Sequence, residues 1–348
     1  MNVEKLVREN IKKMVPYSSA RDEFSGNANI YLDANENAFG SPLPRHYNRY
    51  PDPLQSELKA RISRLKEISI QNIFLGNGSD EAIDLLLRIF CEPGQDNIII
   101  CPPTYGMYEV CAAVNNVIVR KVPLTGEFQP DIQKIKDATD DYTKLIFICS
   151  PNNPTGNNME QVNIDLILKS FNGIVIIDEA YNDYTNQGSY LQFINAYPNL
   201  VILQTLSKAW GLAGIRLGMA FAGVPVISLL NKIKYPYNIS APVQELALKA
   251  LENDKTINAW VETTIEQRKI LSSQLTELSF TKKIYPSDAN FILVKMNGAR
   301  AVYEFLLRTG IIVRDRSTVI LCDDCLRITI GTPAENIQLM DALKSYSK

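Results

Sequence analysis

The sequence contains a single histidine in 348 residues. It is His46, in the proline-rich stretch SPLPRHYNRYPDP, where a lone loop histidine reads as solvated; proton chemistry therefore falls to lysine, tyrosine or a carboxyl group. Long apolar runs are also missing. NIIIC and LIFIC fall far short of the roughly 18 residues a membrane-spanning helix needs. There is no basic excess, the formal net charge being −2, so a nucleic acid would lack its charge-driven footprint and none is expected as a partner. The N-terminal MNVEKLVRENIKKMVPY has no unbroken apolar core, which argues against a signal peptide. Its Val3, Leu6, Val7, Ile11 and Met14 fall close to helical spacing and predict a short amphipathic helix. Six scattered cysteines without an export signal suggest reduced thiols in a cytoplasmic protein. Cys322 and Cys325 form a C-x-x-C with no second pair and no histidine nearby, so no metal site is expected. Neither a Walker A loop nor a G-x-G-x-x-G after a strand occurs, which weakens a nucleotide-binding reading.

What is present suits a soluble globular protein with a small-molecule ligand: 46% of residues are hydrophobic and 21% charged. Between about residues 72 and 222 the chain alternates β-rich runs with helical patterns. The runs are NIIIC (97–101), KLIFIC (144–149), GIVIID (173–178), LVILQT (200–205) and IRLGMAF (215–221). EAIDLLLRIF, YGMYEVCAAV and EQVNIDLILKSF lie between them with apolar spacing near three and four. Apolar strands joined by helices predict an α/β domain with a mainly parallel central sheet flanked by helices. Ligands of such sheets bind at the carboxyl ends of the strands. After about residue 225 longer helical patterns follow, LALKALENDKTINAWVETTIEQRKILSSQL being the clearest, and then short strands at NFILVKM, GIIVRD and CLRITIG. The expected division is an N-terminal arm with part of the small domain over 1–40, a large domain over 41–235 and a small α+β domain over 236–348.

Four stretches carry candidate chemistry. SPNNPTGN leaves the end of LIFIC; its composition suits a plain turn, yet Asn153 could present an amide to a ligand there. GIVIIDEAY ends in Asp178 and Glu179, followed by Tyr181, and a carboxylate closing a buried strand is costly unless paired. It could cap a helix, or it could face a cationic nitrogen on a ligand. LVILQT runs into Ser207 and Lys208, with Arg216 further on. A lysine among apolar neighbours and near a second cation has a lowered pKa and a usable amine. LGNGSDEAIDLLLRIF is a glycine-rich turn entering an amphipathic helix, where free N–H groups at Ser79 and Asp80 suit a phosphate, although ordinary capping explains many such turns. A phosphate seat, an amine nucleophile, a carboxylate for a buried cationic nitrogen, and an amide and a phenol for a ring oxygen together match pyridoxal 5'-phosphate.

The ordered set CPPTYGMY, SPNNPTG, DEAY and SKAWGLAGIRLG resembles the pyridoxal-phosphate aminotransferases of the aspartate-aminotransferase fold (fold type I). LDANEN, RYPDP, GSDEAIDLL, CEPG and CLRITIGT narrow the resemblance to the histidinol-phosphate aminotransferases, across nearly the whole chain. The resemblance implies that Lys208 is the Schiff-base lysine and moves a proton, and that Asp178 pairs with the pyridinium nitrogen. It implies that Asn153 and Tyr181 bond the ring oxygen and that Tyr105 stacks on the ring. Ser207, Arg216 and the backbone of Ser79 and Asp80 would hold the cofactor phosphate. Tyr17, Tyr50, Asn153, Arg314 and Arg327 would contact substrate, Tyr50 from the neighbouring subunit of an obligate homodimer. The implied substrates are histidinol phosphate with glutamate or 2-oxoglutarate, in histidine biosynthesis. An aromatic aminotransferase, a threonine-phosphate decarboxylase-like enzyme and a non-catalytic cofactor-binding relative stay open. By strand alternation Arg327 lies on the face opposite Leu326 and Ile328. Ala38 stands where the family often has proline.

Overall fold

The computed structural model describes residues 3–17, 29–43, 45 and 47–346. His46 lies outside the described residues. Seven strands make the larger sheet: β1 (Ile73–Asn77), β2 (Asn97–Ile100), β3 (Ile118–Lys121), β4 (Thr143–Cys149), β5 (Ile174–Asp178), β6 (Leu200–Thr205) and β7 (Leu217–Ala222), in the order β1-β7-β6-β5-β4-β2-β3. Strands β3, β2, β4, β5 and β6 pair in parallel, while β7 is antiparallel to both β6 and β1. The helices are α1 (Glu9–Lys13), α2 (Ser56–Lys66), α3 (Ser79–Phe90), α4 (Met107–Val114), α5 (Ile132–Ala138), α6 (Gln161–Ser170), α7 (Val224–Ile233), α8 (Ala241–Ala250), α9 (Asp254–Thr276), α10 (Ala299–Arg308) and α11 (Pro333–Tyr346).

The apolar runs of β4 and β5 are buried on both faces because alternate side chains feed two separate cores. Leu145, Phe147, Ile174 and Ile176 pack with residues of α3, α4 and α7. Ile146, Ile148, Val175 and Ile177 pack with those of α2 and α6. A side chain such as Phe147, with no exposed surface, contributes about 1.5–3 kcal/mol through that burial. This is the α/β architecture of the sequence reading, with one strand reversed.

The smaller sheet is antiparallel throughout, β10 (Arg314–Asp315), β11 (Cys325–Thr329), β9 (Phe291–Met296) and β8 (Thr281–Ile284) in that order. Ile292, Val294, Leu326 and Ile328 pack on α9, α10 and α11. Phe291, Leu293 and Cys325 face the other way and join the core beneath the larger sheet. Arg327 shares that second face, so the surface opposite Leu326 and Ile328 is turned toward the larger sheet and not toward bulk water.

Several local readings change. The amphipathic N-terminal stretch is a 3-10 turn, Val3–Leu6, followed by α1. Arg8 interrupts it in extended conformation, its N–H donating to Ile89 O at 3.0 Å and its guanidinium pairing with Glu92. The long helical pattern is two helices, α8 and α9, divided at Leu251–Asn253. Within GIIVRD only Arg314 and Asp315 are in a strand. Leu75, Gly76 and Asn77 belong to β1, which leaves Gly78 to make the turn into α3. All six cysteines are buried and free, and among the described residues no helix is long and apolar enough to cross a membrane.

Candidate active site

The carboxyl ends of β1, β4, β5 and β6 share one edge of the larger sheet, and the reversed β7 brings its amino end there. A pocket of about 770 Å³ opens between this edge and β10–β11, within the usual range for small-molecule sites. Strand direction alone therefore collects Ser79, Asn153, Asp178, Ser207 and Arg216 around one space.

The turn at Gly78 is shaped by two glycines. Gly78 has φ +72°, and a Cβ there would meet Arg216 Nη2 at 2.6 Å. A Cβ on Gly218 would lie 2.1 Å from the backbone nitrogen of Ser79. The missing side chains let β7 press against the start of α3, where Gly78 N–H donates to Arg216 O at 2.8 Å. Glu81 turns back to accept from Asn77 N–H, which fixes the helix entry in the manner of a capping box. The first-turn amides of Ser79 and Asp80 have no acceptor within the helix. Arg216 is itself left-handed, φ 56° and ψ 47°, an uncommon conformation for a side-chain-bearing residue. Its guanidinium meets Asp80 Oδ2 at 3.3 Å, and Tyr105 Oη donates to Asp80 Oδ1 at 3.1 Å. Asp80 thus contributes its carboxylate as well as its backbone. Ser207 N–H donates to Thr205 Oγ1 at 3.1 Å, and the two hydroxyl oxygens lie 3.0 Å apart.

Of the asparagines in SPNNPTGN, Asn152 and Asn157 serve the loop itself. Asn152 Nδ2 donates to Pro103 O and Thr155 Oγ1, and Asn157 Nδ2 donates to Phe128 O. Asn153 reaches the pocket and accepts from Arg327 Nη1.

Asp178 is 3% exposed. It accepts from Tyr108 Oη at 2.6 Å and from Ala180 N–H at 3.1 Å. Burial raises its pKa above the ordinary carboxylate value, opposed by the Tyr108 hydrogen bond. Neither donor carries a charge, so the carboxylate favours a cationic partner in the pocket. Lys208 Nζ sits 5.4 Å from the centre of the Tyr181 ring. Desolvation by the pocket walls lowers its pKa, the Arg327 guanidinium adds to this, and Asp178 opposes it. Tyr181 is buried against Phe291, ring centres 5.1 Å apart, and burial raises its phenol.

A lowered folded-state pKa enlarges the free-amine fraction of Lys208 at any pH below the ordinary lysine value. At pH 8 the cofactor-free protein should therefore acetylate at Lys208 several times faster than at the exposed Lys249, and Asp178→Asn should speed it further. Mass spectrometry of a labelling time course reads both rates, and equal rates at the two lysines would contradict the depressed amine.

Arg314 and Arg327 line the same pocket. Tyr17 and Tyr50 do not: they are 74% and 53% exposed, and Tyr50 stacks on Tyr237 at 4.5 Å beside a second, smaller hollow.

Residues 31–343 match the family described as aminotransferase class I and II. The chain is 53% identical to a histidinol-phosphate aminotransferase of Bacteroides thetaiotaomicron over 345 residues, 99% of each protein. The same-named enzyme of Cytophaga hutchinsonii is 51% identical, again over 99% of each. The chain belongs to the histidinol-phosphate aminotransferase family. Among solved structures, the histidinol-phosphate aminotransferase of Clostridium acetobutylicum superposes with a TM-score of 0.80 at 25% identity, covering 86% of this chain and 91% of that one.

Three residues at or directly behind the pocket of this aminotransferase escaped the sequence reading. Tyr108 lies on α4 with no exposed surface and reads as core, though a fully buried phenol needs a partner for its hydroxyl. Thr205 closes β6 and positions Ser207. Arg316, two residues beyond Arg314, also lines the pocket, and period-two alternation along VRDR was the signal for it.

Proposed function

We propose that this aminotransferase moves the amino group between histidinol phosphate and 2-oxoglutarate, giving imidazole acetol phosphate and glutamate, as a homodimer in the cytoplasm serving histidine biosynthesis. Full-length similarity to relatives bearing that name carries the reading, and the pocket contains side chains suited to each part of it.

The cofactor is pyridoxal 5'-phosphate, and the residues fit it. A buried carboxylate whose hydrogen-bond donors, Tyr108 Oη and Ala180 N–H, are neutral, a lysine with a depressed pKa and a glycine-shaped helix start beside an arginine are its three chemical requirements. When bound, it supplies an aldehyde carbon that takes up the amino group and a ring that withdraws electrons from the substrate carbon. Lys208 would hold the aldehyde carbon in the resting enzyme and, once displaced, carry a proton to and from the substrate carbon with its free amine. Asp178 would keep the ring nitrogen protonated. Asn153 and Tyr181 would orient the ring oxygen, Tyr105 would cover one ring face, and Ser79, Asp80, Ser207 and Arg216 would seat the phosphate. In that arrangement Arg216 would share its guanidinium between the phosphate and Asp80. Arg314 and Arg327 would grip the anionic end of the substrate.

Tyr50 and Tyr17 would serve the partner subunit's pocket. Their exposure fits such an interface, as does that of Leu32 at 86% and Phe39 at 100%, because large apolar side chains left uncovered mark association surfaces.

Side-by-side rates of the cofactor-loaded protein with histidinol phosphate, phenylalanine and threonine phosphate test the substrate. The expected result is the largest kcat/KM for histidinol phosphate with 2-oxoglutarate as acceptor; no turnover of that pair would sink the assignment.

A further inference from the structure

We infer that Arg316 sets substrate specificity: with Arg314 and Arg327 it forms a seat of three guanidinium groups that distinguishes a phosphate dianion from a carboxylate. The inference rests on the reading of the pocket as one that takes a phosphate-bearing amine, and it adds a residue and a selectivity that the resemblance does not supply.

The geometry starts from the strand pair. Arg314 lies directly opposite Arg327 in the β10–β11 register. Arg316 N–H donates to Cys325 O at 2.9 Å, so the antiparallel pairing continues past Asp315. Alternation then places Arg314 and Arg316 on one face, together with Arg327, and all three line the pocket. The intervening acid points the other way. Asp315 takes Arg300 at 3.2 Å and the N–H of Ser317 at 2.9 Å. Among the described residues, no carboxylate lies within ion-pair distance of any of the three arginines.

Like charges directly opposite one another on a sheet destabilise it; Arg314 is exposed, whereas Arg316 and Arg327 are part-buried. The Nε atoms of Arg316 and Arg327 are buried without a hydrogen-bond partner. Burial holds Arg316 below the ordinary arginine value, and the adjacent Arg314 adds to this. A cluster of this kind is suited to an anion from outside the chain.

The number of arginines bears on which anion. A carboxylate carries one negative charge on two oxygens, and a single planar fork satisfies it. Arg327, already oriented by Asn153 and lying over Phe291 at 5.1 Å, is sufficient for that, with Arg314 opposite it. A phosphate monoester carries close to two charges on three terminal oxygens at neutral pH. It can engage a third fork that a carboxylate cannot reach at the same time. Arg316 therefore acts on the phosphate-bearing substrate and little on glutamate, although both occupy one pocket.

The test uses the cofactor-loaded dimer, in which the cofactor's own phosphate site is filled. Titration calorimetry at pH 8 with inorganic phosphate and with acetate is run on the wild type, Arg316→Gln and Arg316→Lys, beside the KM for glutamate. In Arg316→Gln, phosphate affinity should fall about tenfold or more, the scale of one lost charge-assisted contact. Acetate affinity and the glutamate KM should stay within about twofold, which also shows that the variant is folded, while Arg316→Lys should recover part of the phosphate affinity. Unchanged phosphate affinity in Arg316→Gln overturns the inference, as do equal losses for phosphate, acetate and glutamate or a wild type with no preference for phosphate over acetate. A wild type that binds phosphate in an Arg316-dependent way yet leaves histidinol phosphate untouched supports the seat and refutes the substrate reading instead.

Discussion

Lys208→Ala should lower amino transfer from histidinol phosphate by about 10³-fold or more, the scale of a lost general acid–base group. Among the described residues no other lysine lines the pocket. Tyr105 and Tyr181 are poor bases, since burial raises both phenols, and the other cationic side chains of the pocket, Arg216, Arg314, Arg316 and Arg327, carry guanidinium groups that donate hydrogen bonds and accept none. Lys208→Arg is the matching control. It keeps the positive charge near Asp178 but cannot release a proton, so it should fail as completely as alanine. A purely electrostatic lysine would instead be rescued by arginine. Steady-state rates at saturating amine and acceptor, with the visible absorbance of the loaded protein followed in parallel, decide between these. Activity of Lys208→Ala within tenfold of the wild type would remove this lysine from the chemistry.

The candidate site was legible where a strand is apolar throughout and then changes character abruptly. LIFIC into SPNN, VIID into EAY and VILQT into LSK each place a polar side chain at a carboxyl end, and sheet topology brings those ends together. β1 and β3 were harder to see. β1 contains Gly76 and merges with the turn that follows, and β3 (IVRK) is a half-exposed edge with no strong alternation. Pairings between distant positions were not readable at all. Tyr108 and Asp178 are 70 residues apart, and on its helix that tyrosine has the spacing of an ordinary core residue. Arg216 and Asp80 are 136 apart; the reversed strand that unites them follows from pairing, which no local pattern encodes. Of Arg314, Arg316 and Arg327 only Arg316 was missed, for a different reason: the strand reading of GIIVRD stopped at Asp315, one residue short of the next position on the Arg314 face.

Asp178→Asn should produce two changes of opposite sign. Amino transfer should fall by about 10² to 10³-fold, the usual scale when a fixed electrostatic partner of the reacting system is lost, because a neutral amide cannot hold the proton on the ring nitrogen. The cofactor-free protein, by contrast, should melt at the same temperature as the wild type or higher. Burial raises the folded-state pKa of Asp178, so its charged form is disfavoured by folding. Above the ordinary carboxylate pKa the residue therefore subtracts from stability, and replacing it with a neutral group of the same shape relieves that penalty. The Tyr108 hydroxyl and the Ala180 N–H lose some hydrogen-bond strength, which limits the gain. Thermal melts of cofactor-free wild type and variant at pH 7, set beside kcat of the loaded proteins, measure both changes. A carboxylate retained only to support the strand end would lower the melting temperature when replaced and leave kcat largely intact. A buried acid that costs stability in the empty protein and is needed for turnover is accounted for by the cation it meets there, and the ring nitrogen of the cofactor supplies one.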